Sequence, residues 1–324
     1  MKAIIIKHPG DVDVLNLADI PAPSPKADEI LVRNSYVGVN YGDVIKRRRG
    51  GFETGGASYY VAGFEGVGEV VGVGAEITTA KIGDVVGYLA PSGAYGEFIA
   101  VPAKQSFKVI AAAEQAVVAG SICVGLTAWN LLELSGTKPG DTALVHGGAG
   151  GVGSTLLQMA RSRGIKSIAT VGSDEKAAYA AACGADKTIL HREGDFAAQV
   201  LAMTAGVGAD VIFDCVGQSV VEGNARCIRE NGRWLYYGST SGHAAFPGMA
   251  ILSRSIRLIG FVVFETMRRD EWWKRSVQAL TESIEQKSFE PKVEVFPARD
   301  IRAVHRSLEE RQFVGKAVLD MEAW

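Results

Sequence analysis

Three glycines at fixed spacing carry the first sign of chemistry in this chain. Gly148, Gly150 and Gly153, within HGGAGGVG (residues 146–153), satisfy G-x-G-x-x-G. Between a strand and a helix, that spacing serves a phosphate-bearing ligand. One glycine permits a tight turn, the second lets the backbone approach a pyrophosphate, and the third lets the helix pack closely on the strand. Free backbone N–H groups and the positive helix end then face the phosphates. The flanking sequence supplies the setting. TALV (Thr142 to Val145) reads as a buried strand, and STLLQMARSRG places Leu156, Leu157, Met159 and Ala160 at helical spacing. Gly148, Ala149, Gly150, Gly151, Val152 and Gly153 are therefore the candidate ligand contacts.

The next strand, SIATV (residues 167–171), ends in Gly172 and Ser173. A site for NAD usually places a carboxylate there, on the ribose 2′-OH. Glycine and serine leave room for a 2′-phosphate instead. Lys176, and farther along His191 and Arg192, supply positive charge and donors. The expectation is NADPH over NADH. Asp174 and Glu175 argue the other way, since Asp174 turned inward would take the ribose role. Lys176 also reads as a solvated helix residue, and His191 as ordinary surface.

The elements around these residues alternate. DEKAAYAAACG, a helix ending at Gly184, leads to the strand ADKTIL and the amphipathic helix DFAAQVLAMTAG. ADVIFDCVG and GRWLYYGS are strands whose ends place Val216, Tyr237, Gly238, Ser239 and Thr240 beside the ligand. Repeated β-α units predict an α/β fold with a doubly wound parallel sheet, binding across the carboxyl ends of its strands. Residues 1–110 are instead rich in short β runs broken by proline and glycine. GFEGVGEVVGVG lies there without a following helix and is rejected as a nucleotide loop. Residues 114–135 read as a helix pair. The tail holds a helix (DEWWKRSVQALTESIEQ), a strand around PKVEVF, a second helix (ARDIRAVHRSLEER) and a closing strand, GKAVLDM.

Composition sets outer bounds. The chain has 324 residues, 47% apolar and 22% charged, with a net charge of −2. That balance gives no global pull toward nucleic acid or anionic membrane. Lys46-Arg47-Arg48-Arg49 reads as a solvated loop. Cys123, Cys183, Cys215 and Cys227 form no C-x-x-C pair, which argues against a zinc lobe and for reduced core thiols in a cytosolic protein. MKAIIIKHPGD is too short and too quickly polar for a signal peptide, and no uninterrupted apolar run reaches spanning length.

The order GVNYGD, GFEGVGEVVGVG, KIGDVVGY, GAYGEF, GLTAW, KPGD, HGGAGGVG and GKAVL resembles the medium-chain dehydrogenase/reductase superfamily. More narrowly, it is similar to the zinc-independent quinone oxidoreductases that include zeta-crystallin. The resemblance spans essentially the whole chain. It implies a Rossmann domain at 121–264 and a GroES-like catalytic domain made discontinuous by its parts at 1–120 and 265–324. It also implies NADPH, with Lys316 of GKAVL among its contacts, and a homodimer joined at an edge strand, RLIGFVVF (Arg257 to Phe264). Zinc enzymes of the superfamily carry a ligand cysteine where this chain has Asn40, and a ligand histidine where it has Phe64. Neither replacement is a good zinc ligand, so no metal is expected. His191 stands where bacterial relatives commonly carry tyrosine, and Ile45 where the family often does.

A quinone or conjugated enone accepting hydride accumulates negative charge on oxygen, which a nearby donor stabilises. Asn40 and Tyr41 are the candidate donors, with Asp43 orienting them; Asn40 and Asp43 equally read as helix caps. Thr127, in GLTAW, is the family's candidate for the nicotinamide end. His8, His146, His191, His243 and His305 are scattered, and His146 reads as a spacer for the glycine loop. The expected activity is reduction of a quinone by NADPH. Reduction of enals, enones or enoyl thioesters is the rival, and a non-catalytic NADPH- or RNA-binding crystallin is the reading from another class.

Overall fold

The computed structural model describes residues 1–51, 56, 58–109 and 113–324. Its strands are β1 (Lys2–Ile6), β2 (Asn16–Asp19), β3 (Glu29–Gly38), β4 (Tyr60–Val61), β5 (Glu65–Val73), β6 (Val85–Leu89), β7 (Phe98–Pro102), β8 (Ser106–Lys108), β9 (Thr142–His146), β10 (Lys166–Val171), β11 (Lys187–Leu190), β12 (Ala209–Asp214), β13 (Ile228–Tyr236), β14 (Arg257–Gly260), β15 (Val293–Pro297) and β16 (Lys316–Asp320). The α-helices are α1 (Tyr41–Arg49), α2 (Gln115–Ser135), α3 (Gly151–Ser162), α4 (Asp174–Ala182), α5 (Phe196–Met203), α6 (Val221–Cys227), α7 (Gly248–Ser253), α8 (Asp270–Glu285) and α9 (Ile301–Glu309). Two compact units result. One comprises Met1–Cys123, Trp273–Glu285 and Glu290–Trp324; the other comprises Val124–Trp272 and Gln286–Phe289.

The second unit is built on a parallel sheet in the order β11-β10-β9-β12-β13-β14. Its central strands β9, β10 and β12 are buried along nearly their whole length, as a sheet covered on both faces requires. Leu144, Ile168, Ile189, Ile212 and Trp234 are all buried in its core. The order reverses between β9 and β12, and the crevice at such a reversal is where doubly wound sheets bind ligands. The HGGAGG loop leaves β9 at that point.

The first unit holds a mixed sheet, β15-β16-β3-β5-β6-β8, with β7 also paired to β3, and a small antiparallel sheet, β2-β1-β4. The C-terminal strand β16 runs antiparallel to β3, with Leu319 opposite Val37. The last segment of the chain thus completes a sheet begun by the first. In α9, Ile301, Val304 and His305 are buried at positions i, i+3 and i+4, the stripe an amphipathic helix turns to its core.

Three local expectations are corrected. Residues 115–135 form one helix, α2, not a pair. It is long and apolar enough on average to cross a membrane, although Asn130 and Glu133 interrupt its apolar run, and most of it is buried inside the protein, as befits a core helix. Lys46 to Arg49 is the last turn of α1 rather than a loop, and Arg47 is wholly buried on Glu309. Arg48 and Arg49 are exposed, so only Arg47 departs from a solvated run, held by its ion pair and favoured by the helix C-terminus. Finally, the edge strand stops at Gly260; residues 263–268 turn into a 3-10 helix. The free cysteines divide evenly, Cys183 and Cys227 buried, Cys123 and Cys215 half-buried.

Candidate functional site

In the second unit the glycine loop is built as a cradle. The tight turn falls on Gly147, with φ +65°, rather than on Gly148 as the motif assigns it. Gly148 is required for another reason, since a Cβ there would meet the Ala169 Cβ at 2.7 Å. At Gly153 a Cβ would strike the Gly147 carbonyl oxygen at 2.2 Å, the close strand–helix approach the motif predicts. Gly150, the N-cap of α3, has no such internal constraint. The nearest atom to a Cβ there is the Gly147 oxygen, at 3.4 Å. Apart from its chain neighbours, no other described residue comes within 4 Å of that position, which fits a pyrophosphate at a helix N-terminus. Ala149 is buried beneath the loop, while Gly151 and Val152 open α3 half-exposed.

The end of β10 is equally specific. A Cβ on Gly172 would lie 3.3 Å from His191 Nε2, so the imidazole occupies the neighbourhood where a carboxylate would sit. The His191 N–H donates to the Val171 carbonyl at 3.0 Å, which ties the end of β11 to that of β10. Ser173 caps α4 by accepting the Lys176 backbone N–H. Asp174 and Glu175 are exposed in the first turn of α4, and Arg192 is exposed beside His191.

The carboxyl ends of β12 and β13 are held by a carboxylate that the sequence reading passed over. Buried Asp214 accepts the Val216 and Gly217 N–H groups at 2.8 and 2.9 Å, the Asn224 Nδ2 at 3.2 Å and the Trp234 Nε1 at 3.1 Å. A lone Asp ending an apolar strand, ADVIFD, was the available signal. Around it, Ser241 Oγ donates to the Val216 carbonyl at 2.8 Å and the Tyr237 N–H donates to Asp214 O at 2.9 Å. A Cβ at Gly238 would meet Cys215 O at 2.8 Å, and Ser239 O accepts the Gly242 N–H. These bonds fix the strand-end backbone at Val216, Tyr237, Gly238 and Ser239. His146 has a larger role than spacer. Its Nδ1 is 2.8 Å from Thr170 Oγ1 and its Nε2 is 2.7 Å from Asn224 Oδ1, which joins β9, β10 and α6. Burial lowers its pKa. Thr127 is buried on α2, with 7% of its surface exposed.

In the first unit, the expected donors open α1. Asp43 caps the helix by accepting the Asn40 N–H at 2.8 Å, and it also accepts the Gly63 N–H at 3.2 Å. Burial raises its pKa to about 7, against the opposing pull of the Asn40 N–H bond and of Lys316. The Asn40 side chain turns instead to a charged pair. Lys316 Nζ donates to Asn40 Oδ1 at 2.6 Å and to Glu65 Oε1 at 2.7 Å. Asn40 Nδ2 donates to the same Glu65 oxygen at 2.8 Å. Lys316, expected at the cofactor, thus spends two of its three donors inside this unit. Tyr41 is half-buried in the first turn of α1. This donor set does not fit zinc. Asn40 offers an amide and Phe64 a buried ring, neither a good zinc ligand, and the Lys316 ammonium already bonds the Glu65 carboxylate.

Family models match both parts of the chain: an alcohol dehydrogenase GroES-like domain over residues 26–111 and a zinc-binding dehydrogenase over 151–282. A 2-haloacrylate reductase of Burkholderia sp. is 30% identical over 98% of each chain. Quinone oxidoreductase 1 of Escherichia coli (strain K12) is also 30% identical, over 97% of each. The Escherichia coli quinone oxidoreductase crystallised with NADPH superposes with a TM-score of 0.92 at 28% identity, covering 99% of this chain and 100% of that one. The chain belongs to the medium-chain dehydrogenase/reductase superfamily of oxidoreductases. Within it, quinone oxidoreductases and reductases of other activated substrates are its relatives.

Proposed function

We propose that this chain reduces quinones with NADPH. The observation that carries the reading is the end of β10, where Gly172 leaves space and His191 Nε2 stands beside it in place of a carboxylate. A carboxylate there would repel a 2′-phosphate, whereas an imidazole with Lys176 and Arg192 nearby in sequence attracts one. The NADPH complex of the Escherichia coli relative supports the same cofactor. The residues that would hold it are the loop Gly148–Gly153, the Gly172-Ser173 turn, and the strand-end backbone at Val216 and 237–239. Thr127 is assigned to the nicotinamide end.

The chemistry supplied by bound NADPH is hydride transfer. The chain's own part is positioning and charge stabilisation. As hydride reaches a quinone, one oxygen becomes negative, and we assign Asn40 and Tyr41 as the donors to it. Asp43 holds the Asn40 backbone. Uptake of a proton then completes the hydroquinone. A second reading, reduction of a conjugated C=C bond, draws support from the 2-haloacrylate reductase relative. It would use the same donors on an enolate oxygen. Dimerisation through the edge of β14, with Leu258 exposed on it and Val262 exposed just beyond its end, is part of the proposal.

Consumption of NADPH and NADH at 340 nm against a quinone, an enal, a 2-haloacrylate and a crotonyl thioester tests the reading. Turnover of the quinone at the highest kcat/KM upholds it. Preference for a conjugated C=C moves the assignment to the second reading, and tight NADPH binding without any turnover sinks both. Sedimentation velocity reads the dimer.

A further inference from the structure

We infer that Lys316 and Glu65 are positioning residues for the Asn40 carboxamide, fixing its orientation so that one Nδ2–H is left for the acceptor's oxygen. The inference rests on the reductase reading above. Lys316 Nζ, Asn40 and Glu65 close a ring of three hydrogen bonds, of 2.6, 2.7 and 2.8 Å. An ammonium only donates and a carboxylate only accepts. The ring therefore has one consistent polarity, with the amide oxygen toward Lys316 and the nitrogen toward Glu65. A flipped amide would set oxygen against a carboxylate and NH2 against an ammonium.

The two ends of this clamp are themselves fixed. Glu65 is fully buried and Lys316 is 3% exposed. The second carboxylate oxygen of Glu65 accepts the Cys123 N–H at 2.5 Å. A side chain at Gly38 would collide with Glu65 Oε1 at 2.3 Å, so β3 leaves room for the carboxylate. Asn40 itself is only half-buried, and Asp43 holds its backbone N–H. Its Nδ2 carries two hydrogens. One goes to Glu65, and the other meets no acceptor among the described residues. An ammonium drawing on the amide oxygen strengthens the remaining N–H as a donor. A donor aimed before the reaction costs no reorganisation during it.

The test is a double-mutant cycle on the full chain. Asn40→Leu removes the donor, Lys316→Met removes its orienting partner, and Lys316→Arg returns cationic donors. With the best acceptor, Lys316→Met is expected to lower kcat about 10- to 100-fold while leaving the KM for NADPH within about threefold. Lys316→Arg recovers part of the loss. In the Asn40→Leu background, Lys316→Met costs nothing further. Losses that multiply, or a change confined to KM, overturn the inference. If Lys316→Met does not fold, Glu65→Gln enters the same cycle.

A second readout needs no turnover. Side-chain amide hydrogen exchange at Asn40, assigned by NMR from the signals lost in Asn40→Leu, should show one slow and one fast Nδ2 proton. Lys316→Met, which frees the amide oxygen while Glu65 remains, should narrow the difference. Two equal rates in the unmodified protein, or an asymmetry undiminished in Lys316→Met, overturn the inference. Asymmetric exchange in a protein inert to every acceptor would sink the reductase reading and leave the clamp standing.

Discussion

Asp43 and His305 share the buried Tyr95 hydroxyl, and burial moves their titrations in opposite directions. Tyr95 bonds the Asp43 carboxyl and lies 3.4 Å from His305 Nε2. Asp43 is raised to about 7. His305 is lowered to about 3, chiefly by burial and then by the Arg47 charge.

The pH profile of stability follows from these shifts. Between its unfolded value near 3.8 and about 7, Asp43 binds more protons folded than unfolded, so its contribution is full in acid and is lost as pH rises to about 7. The loss is on the order of 4 kcal/mol. His305 runs the other way: its contribution is full above 6.5 and is lost as pH falls toward about 3. Melting temperatures from pH 4 to 8 check both. Asp43→Asn should gain on the unmodified protein as pH rises from 4 to 7, and His305→Gln should gain as pH falls from 6.5 to 4. Parallel curves would refute these assignments.

The Arg47–Glu309 pair is a stability element. Arg47 is 0% exposed, and its Nη2 lies 2.5 Å from Glu309 Oε1. Its Nε and Nη1 have no partner among the described residues. Glu309→Ala leaves a buried charge uncompensated and should cost about 3 kcal/mol in urea denaturation. Arg47→Met with Glu309→Leu should recover most of that.

Two glycines of one loop should separate folding from binding. Gly153→Ala drives a Cβ into the Gly147 carbonyl and should lower the melting temperature. Gly150→Ala meets nothing closer than 3.4 Å among the described residues and should leave it nearly unchanged. NADPH affinity, read by fluorescence titration, should still fall about tenfold or more in Gly150→Ala, because the Cβ enters the pyrophosphate's space. Equal melting losses would contradict the cradle.

Cofactor choice should turn on Gly172. Gly172→Asp places a carboxylate beside His191 and should lower kcat/KM with NADPH about tenfold or more relative to NADH. His191→Ala should weaken NADPH binding more than NADH binding. Equal effects on the two cofactors would show that this turn does not read the 2′-phosphate.

The sequence by itself determined the elements whose signal is local. Apolar runs punctuated by glycine disclosed β9, β10 and β12, because a strand buried on both faces has no polar period to hide it. The glycine spacing disclosed the loop between β9 and α3, because close approach at Gly148 and Gly153 leaves no room for a Cβ. The tertiary structure decided what depends on partners distant in the chain. Arg47 looks solvated until Glu309 folds against it, 262 residues away. Glu65 and Asp214 look like isolated acids until an ammonium, an indole and several backbone N–H groups converge on them. Asn40 and Lys316 are 276 residues apart, and only the return of β16 beside β3 brings them to 2.6 Å. A buried charge is tolerated only with its partner, and no local pattern names a partner that the fold alone supplies.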